Sequence, residues 1–349
     1  MLSGVHQSLI LCVGRLEVLS KFRKYYCIET SRYQGQRLAV THYFRQSFND
    51  VSAMCEAVRA WDVEFYPMAK LRNGRSGGAF VQTFGRGFEY GYAKFTPGLH
   101  MFGAPPTGLI TFNVMEPATR HYWLRGHDLD DGMAWVFPAG AELRSMSPPG
   151  FQSHSLSVSE ERVEQVAAAL EINVPPPSKR VEVFSVQPEV LALVRQHMCA
   201  LRDGGSGAFP IDPVREVLRL LVPRWLAPDS CGNQIRARDV AVSKCLKLIE
   251  DHDIGRLPID TLLDECNMSE RTVLYAFRER FGVTPASLIK SRRLAKVRSM
   301  LRHADSETAT VGDIAALFGF WHLGQFAVDY RKTFGERPSE TLKGLPRIK

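Results

Sequence analysis

Two stretches near the C-terminus place hydrogen-bonding side chains at helical spacing directly after a tight turn. In the first, Asn267-Met268-Ser269 turns the chain, and Ser269-Glu-Arg-Thr caps a helix that runs to Arg280 and stops at Gly282. Leu262, Leu263, Met268, Val273, Phe277 and Phe281 fall on one face, and Arg271, Thr272, Leu274, Tyr275 and Arg278 on the other. Guanidinium forks and a phenol at a helix start suit base edges and phosphates. In the second stretch, Gly319 allows a turn and Trp321 to Phe334 forms a helix. Phe320, Phe326, Tyr330 and Phe334 share one face, leaving His322, Leu323, Gly324, Gln325, Val328, Arg331 and Lys332 for contact. The Gln325 amide fits a base and the Arg331 guanidinium a phosphate.

Bond-making chemistry is not legible in the same way. The seven cysteines stand at 12, 27, 55, 199, 231, 245 and 266, none as CxxC and none at zinc-finger spacing with histidine. They read as reduced thiols of a cytoplasmic protein, mostly filling cores. His100, His121 and His127 lack the HxH-then-Glu spacing of a metal-binding cupin, so no metal, cofactor or catalytic residue is expected. The alternative is a DNA-binding protein with an enzymatic, repair-type N-terminal domain. It needs a metal-activated cysteine cluster that these spacings do not supply.

The elements around the two stretches follow from apolar periodicity. Val240 to Asp251 reads as a helix with Val242, Cys245, Leu246 and Ile249 inward, and Pro258 to Cys266 as the short first helix of one helix-turn-helix unit. Pro285 to Arg302 reads as one long helix, about 27 Å at 1.5 Å per residue. Thr310 caps Val311 to Phe318, the first helix of a second unit, with Asp313 favouring its N-terminus. The basic run Lys290 to Arg302 would then lie near phosphates between two major-groove segments.

Upstream, residues 36 to 157 read as strands and turns, interrupted by a helix over Asn49 to Arg59. Aromatic runs at Ala79 to Phe84, Phe88 to Tyr92, Gly108 to Val114 and Met133 to Phe137 alternate with Gly and Pro turns. Phe84, Tyr90, Tyr92, Trp123 and Trp135 either line an effector pocket or pack the core. Helices follow at 157–170, 188–202 and 213–221. The stripe Pro213 to Leu221 fits core packing or a homodimer contact. The expected class is α+β. A β-sandwich or cupin-like regulatory domain with flanking helices (36–226) follows an N-terminal extension (1–35). A linker (227–238) leads to an all-α domain (239–349) with two helix-turn-helix units joined by a long helix.

Charge agrees with this division. Residues 236 to 349 hold 20 Lys+Arg against 15 Asp+Glu, whereas the first 235 hold 24 against 22. A net charge of +7, weighted toward the helical third, suits a phosphate-bearing partner. No apolar run reaches the ~18 residues of a membrane span, and Ser8 to Gly14 is too short to read as a signal peptide.

The stretch Val242 to Leu342 resembles the DNA-binding domain of the AraC/XylS family. The likeness is carried by Ile314-Ala-Ala-Leu-Phe-Gly-Phe320 and by Phe326-Ala-Val-Asp-Tyr-Arg-Lys-Thr-Phe-Gly-Glu-Arg-Pro-Ser339, with Phe281-Gly-Val-Thr-Pro-Ala286 as an echo after the first unit. Within the family, Gly319 to Ala327 is similar to the second unit of ethanolamine-operon regulators, although Trp321-His-Leu departs from the commoner Ser-rich turn. The resemblance implies a transcription regulator rather than an enzyme. It implies double-stranded DNA and RNA polymerase as partners, activation as the usual outcome, and a small-molecule effector or homodimer contact in the N-terminal domain.

Overall fold

The computed structural model describes residues 40–48, 54, 61–68, 77–117, 122–174, 180–204, 211–227, 237–251, 269–305 and 307–343. All belong to one compact unit, Ala39–Lys349. The extension 1–35, the 49–59 helix apart from Met54, and the Pro258 to Cys266 helix lie outside the described residues, as does most of the linker.

Among the described residues, twelve strands build two antiparallel sheets. They are β1 (Val40–Phe48), β2 (Asp62–Pro67), β3 (Gly78–Gly85), β4 (Phe88–Phe95), β5 (Leu99–Ala104), β6 (Leu109–Met115), β7 (Tyr122–Leu124), β8 (His127–Leu129), β9 (Met133–Phe137), β10 (Leu143–Ser147), β11 (Gln152–Ser159) and β12 (Glu182–Ser185). One sheet has the order β1-β3-β4-β11-β6-β9-β12 and the other β2-β5-β10-β7-β8. The period of two sorts the aromatics. Phe65, Phe80, Phe95, Trp135 and Phe137 join one buried cluster drawn from both sheets. Gly87, at φ +75°, makes the tight β3–β4 turn.

Helices α1 (Glu160–Ala169), α2 (Pro188–Asp203) and α3 (Pro213–Trp225) accompany the larger sheet. Asp212 caps α3 by accepting from the Val214 and Arg215 amides at 3.0 and 3.1 Å. Val214, Val217, Leu218, Leu221 and Val222 are all fully buried within the chain, so this stripe serves core packing. The helix also runs past Leu221 and through Pro223. Trp225 anchors its last turn, edge-on to Phe112 at 5.5 Å and donating from Nε1 to Glu182 at 2.8 Å. These contacts outweigh the one backbone bond that Pro223 removes.

The helical third contains α4 (Ala237–Asp251), α5 (Glu270–Phe281), α6 (Pro285–His303), α7 (Val311–Leu317), α8 (Leu323–Phe334) and α9 (Pro338–Lys343). Two caps fall where hydroxyls were expected: Ser269 accepts from the Thr272 amide at 3.3 Å and Thr310 from Asp313 at 3.1 Å. Thr284 caps α6 in the same way, accepting from Ser287 at 3.2 Å. Gly282 and Gly335 end α5 and α8 at φ +67° and +77°, the left-handed C-cap that glycine adopts without strain. Cys245 of α4 is disulfide-bonded, which corrects the reading of every cysteine as a free thiol.

Candidate nucleic-acid interface and interior cavity

Helix α5 buries Val273, Ala276, Phe277 and Phe281 and turns Arg271, Thr272, Tyr275 and Arg278 to solvent, with Leu274 half-buried. Tyr275 is 63% exposed, high for a large aromatic side chain. The Thr272 hydroxyl lies 2.7 Å from the Ser269 hydroxyl, so its cap also fixes the first turn of the exposed face.

Helix α8 is built alike. Phe326, Tyr330 and Phe334 are buried as a ladder of rings 5.6 and 4.8 Å apart. His322, Leu323, Gly324, Gln325, Val328, Arg331 and Lys332 are exposed, and Trp321, just before the helix, is 76% exposed. The helix begins at Leu323, two residues later than Trp321, because His322 takes the N-cap position. Gln325 is exposed but not idle. Its Nε2 donates to Asp329 at 3.0 Å, and Lys290 of α6 reaches the same carboxylate at 2.5 Å. Burial alone would raise the Asp329 carboxyl; the bonds from Lys290 and Gln325 hold it below its usual range.

Much of the basic run of α6 turns inward, contrary to expectation. Arg292 is 1% exposed. It lies over the rings of Tyr66 and Phe102 at 5.2 and 4.8 Å and donates to the Ile249 carbonyl. Arg298 pairs with Glu336 at 2.8 Å, Lys296 with Glu64 at 2.7 Å, and Lys290 with Asp329. At least four of the six basic side chains between Lys290 and Arg302 therefore make internal contacts. Periodicity could not reveal this, because their acceptors come from distant segments.

The same helix meets the smaller sheet. The Ser291 hydroxyl donates to the Pro67 carbonyl, and Trp123 stands edge-on to Phe281 with centroids 5.6 Å apart. Met68, Trp123 and Met146 share one apolar cluster with Val242, Phe277 and Leu288.

The five aromatics proposed for an effector pocket separate. Trp135 and Tyr92 line a cavity between the sheets. Tyr90 instead lies 2.7 Å from His154 Nδ1. Trp123 belongs to the helical interface, and Phe84 is half-buried near the β3–β4 turn. The cavity encloses about 610 Å³ of empty space, including its open mouth. Its walls include Trp61, Phe65, Phe80, Phe95, Phe137 and Phe151, with Gln82, Asn113, Ser153 and Ser155 as polar points. Trp61, Gln82 and Asn113 were missed; alternation within the strands was the available signal for the last two.

One group among the described residues offers a mixed metal-ligand set. Donor atoms of Glu116, His154 and Cys199 lie within 4.8 Å of one another. Other partners already hold it. His154 bridges Tyr90 and Glu116 at 2.7 and 2.8 Å, and the Arg202 guanidinium stands 3.6 Å from Glu116 and over the Tyr92 ring. Burial pushes the Cys199 thiol up, away from the thiolate a metal would take. The arrangement is therefore read as an ion-pair network fastening α2 to the sheet.

Comparison with known proteins places the helical third. A family model described as a helix-turn-helix domain matches residues 262–344. The XylDLEGF operon transcriptional activator of Pseudomonas putida is 33% identical over 100 residues, 29% of this chain and 31% of that protein. The transcriptional activator RhaS of Escherichia coli O9:H4 (strain HS) is 28% identical over 162 residues, 46% of this chain and 57% of that one. A probable AraC family transcriptional regulator from Rhodopseudomonas palustris CGA009, of solved structure, is 37% identical. The match covers 30% of this chain and 94% of that one, with a TM-score of 0.27. The chain thus spans about a third to about a half of the curated relatives named here. The C-terminal helical region therefore carries a helix-turn-helix domain similar to those of AraC-family transcriptional regulators.

Proposed function

We propose that this chain is a sequence-specific DNA-binding transcription regulator, an activator that answers to a small molecule and acts with RNA polymerase. The observation that carries the reading is the shared design of α5 and α8. Each is buried on one face, open on a hydrogen-bonding face, and closed by a left-handed glycine. Two helix-turn-helix units in one chain, joined by α6, supply the pair of groove contacts that simpler regulators obtain by dimerising. Arg271, Thr272, Leu274, Tyr275 and Arg278 make the contacts of the first unit. His322, Leu323, Gly324, Gln325, Val328, Arg331 and Lys332 make those of the second. The domains follow the sequence reading, with 36–226 regulatory and 239–349 reading DNA.

No enzymatic role is assigned; among the described residues the His154 network is held by Tyr90 and Glu116. The likeness of Gly319 to Ala327 to ethanolamine-operon regulators bears on base preference and not on the effector. A homodimer would use a surface other than α3, whose apolar stripe is consumed within the chain.

Selection of bound duplexes from a random pool by the full-length protein, followed by footprinting, tests the reading. The expected result is a defined site protected in two segments on one DNA face, with affinity falling steeply with salt. Equal retention of all sequences at physiological salt overturns it.

A further inference from the structure

The cavity between the sheets has a chemistry of its own, and its consequence rests on the reading of the sheet domain as the effector-binding part. Its apolar walls leave few donors to a guest. The Asn113 Nδ2 group is used on the Thr111 and Trp135 carbonyls at 3.0 and 3.3 Å. Gln82 Nε2 points to Glu89 at 3.5 Å. Trp135 differs: its ring lines the cavity at 2% exposure, and its Nε1 has no hydrogen-bond partner among the described residues. A buried indole N–H without an acceptor is uncommon, because the lost hydration is not recovered.

Charge narrows the guest further. No Lys, Arg, Asp, Glu or His stands among the described lining residues. Burial pushes the nearby Glu89 carboxyl up to about 8, so at neutral pH it is mainly uncharged. A carboxylate or ammonium entering here would shed its water without meeting a counter-charge, a cost that a neutral ring escapes.

We propose that the cavity binds an uncharged, flat, one- or two-ring molecule carrying a hydrogen-bond acceptor, which receives the Trp135 Nε1–H. The aromatic walls supply stacking and edge contacts, and the acceptor fixes orientation.

Isothermal titration of the full-length protein with four matched probes tests this. They are 1-acetonaphthone (neutral, with an acceptor), 1-ethylnaphthalene (neutral, without one), 1-naphthoate (anion) and 1-naphthylmethylamine (cation at neutral pH). The ketone is expected to bind about tenfold more tightly than the hydrocarbon, and both charged probes more weakly than the ketone. Trp135→Phe keeps a ring and removes the donor, so it should level ketone and hydrocarbon while circular dichroism stays unchanged. Ala93→Leu, which fills the cavity from a lining position, should weaken all four and gives a second test should the first variant misfold. Tightest binding of naphthoate, uptake of none of the four, or an undiminished ketone preference in folded Trp135→Phe overturns the proposal. A gel shift of the same preparation on its selected duplex separates the two readings. DNA binding with no probe uptake sinks only the ligand class, and ketone binding without DNA binding sinks only the regulator.

Discussion

The two helical regions built around α5 and α8 are alike in outline and different in what holds them. The second is self-sufficient: its buried cluster is drawn from Leu294 to Phe334, with Leu342 packed against it, all within the helical third. The first is not. Its cluster takes in Met68, Trp123 and Met146 from the sheet domain beside Val242, Phe277 and Leu288. Their outer faces differ as well. Helix α5 offers two guanidiniums and a phenol, whereas α8 and its approach expose the apolar Trp321, Leu323 and Val328 beside Gln325, Arg331 and Lys332. The difference teaches that the sheet domain has direct purchase on the first unit.

The most damaging test of this contrast is Trp123→Ala. Removing a large buried ring from a shared cluster should cost about 3–5 kcal/mol, read as a lower melting temperature. The footprint should lose the segment under α5 and keep the segment under α8. Equal loss at both segments would refute the asymmetry. A fragment starting near residue 235 would lack Met68, Trp123 and Met146 from the core around α5, and so should lose the same segment.

Next in size is a pH effect. Glu89 is buried with its folded-state pKa raised from 4.5 to about 8. Its protonated form favours folding, so its contribution is complete below about 4.5 and is lost as pH rises toward and through about 8. Loosening of the sheet domain on going from pH 6 to 9 should speed hydrogen exchange in α5 before α8. Glu89→Gln should abolish that dependence.

On the DNA side, Gln325→Ala should cost about 1–3 kcal/mol on the selected site and relax preference at one base pair. Arg278→Ala should weaken all sequences alike and reduce the salt dependence, as a phosphate contact does. Competition binding on single-base variants of the site checks both. An unchanged preference profile for Gln325→Ala would show that the Asp329 bond, and not a base, is that amide's employment.

The smallest effect is expected at Lys296→Met, about 0–1 kcal/mol, since the pair with Glu64 is about one-third exposed. Burial alone would raise Glu64, but Lys296, Tyr66 and Arg292 hold it below its usual range. The pair's contribution is therefore present above the unfolded-state pKa and fades as pH falls through the lower folded value. Lys296→Met should flatten the acid limb of the melting curve.

Local chemistry was readable from sequence wherever one residue settles it. Ser269, Thr310 and Gly282 each mark a helix end through a hydroxyl or a left-handed φ, and the structure places them there. Strand alternation likewise predicts two-sided sheets, though not which aromatic faces which layer. Tyr90 and Tyr92 share a face two residues apart, yet one is tied to His154 and the other also borders the cavity. Long-range pairing was the blind spot. Nothing beside Arg292 in the chain announces Tyr66 and Phe102, more than 180 residues away, so a cationic run read as a phosphate track. Pro223 misled for the opposite reason, because a local rule was overridden by the distant anchor of Trp225.

Helix α6 places Leu288 and Ile289 in one cluster and Leu294, Val297 and Leu301 in the other. The two reading heads are thereby mounted on a single rod like the jaws of a locked calliper. For the proposed regulator, a target site can then drift in its bases and lose affinity by degrees. Its two halves tolerate little change in spacing: about five inserted base pairs would carry one half to the far side of the duplex, beyond the rod's reach.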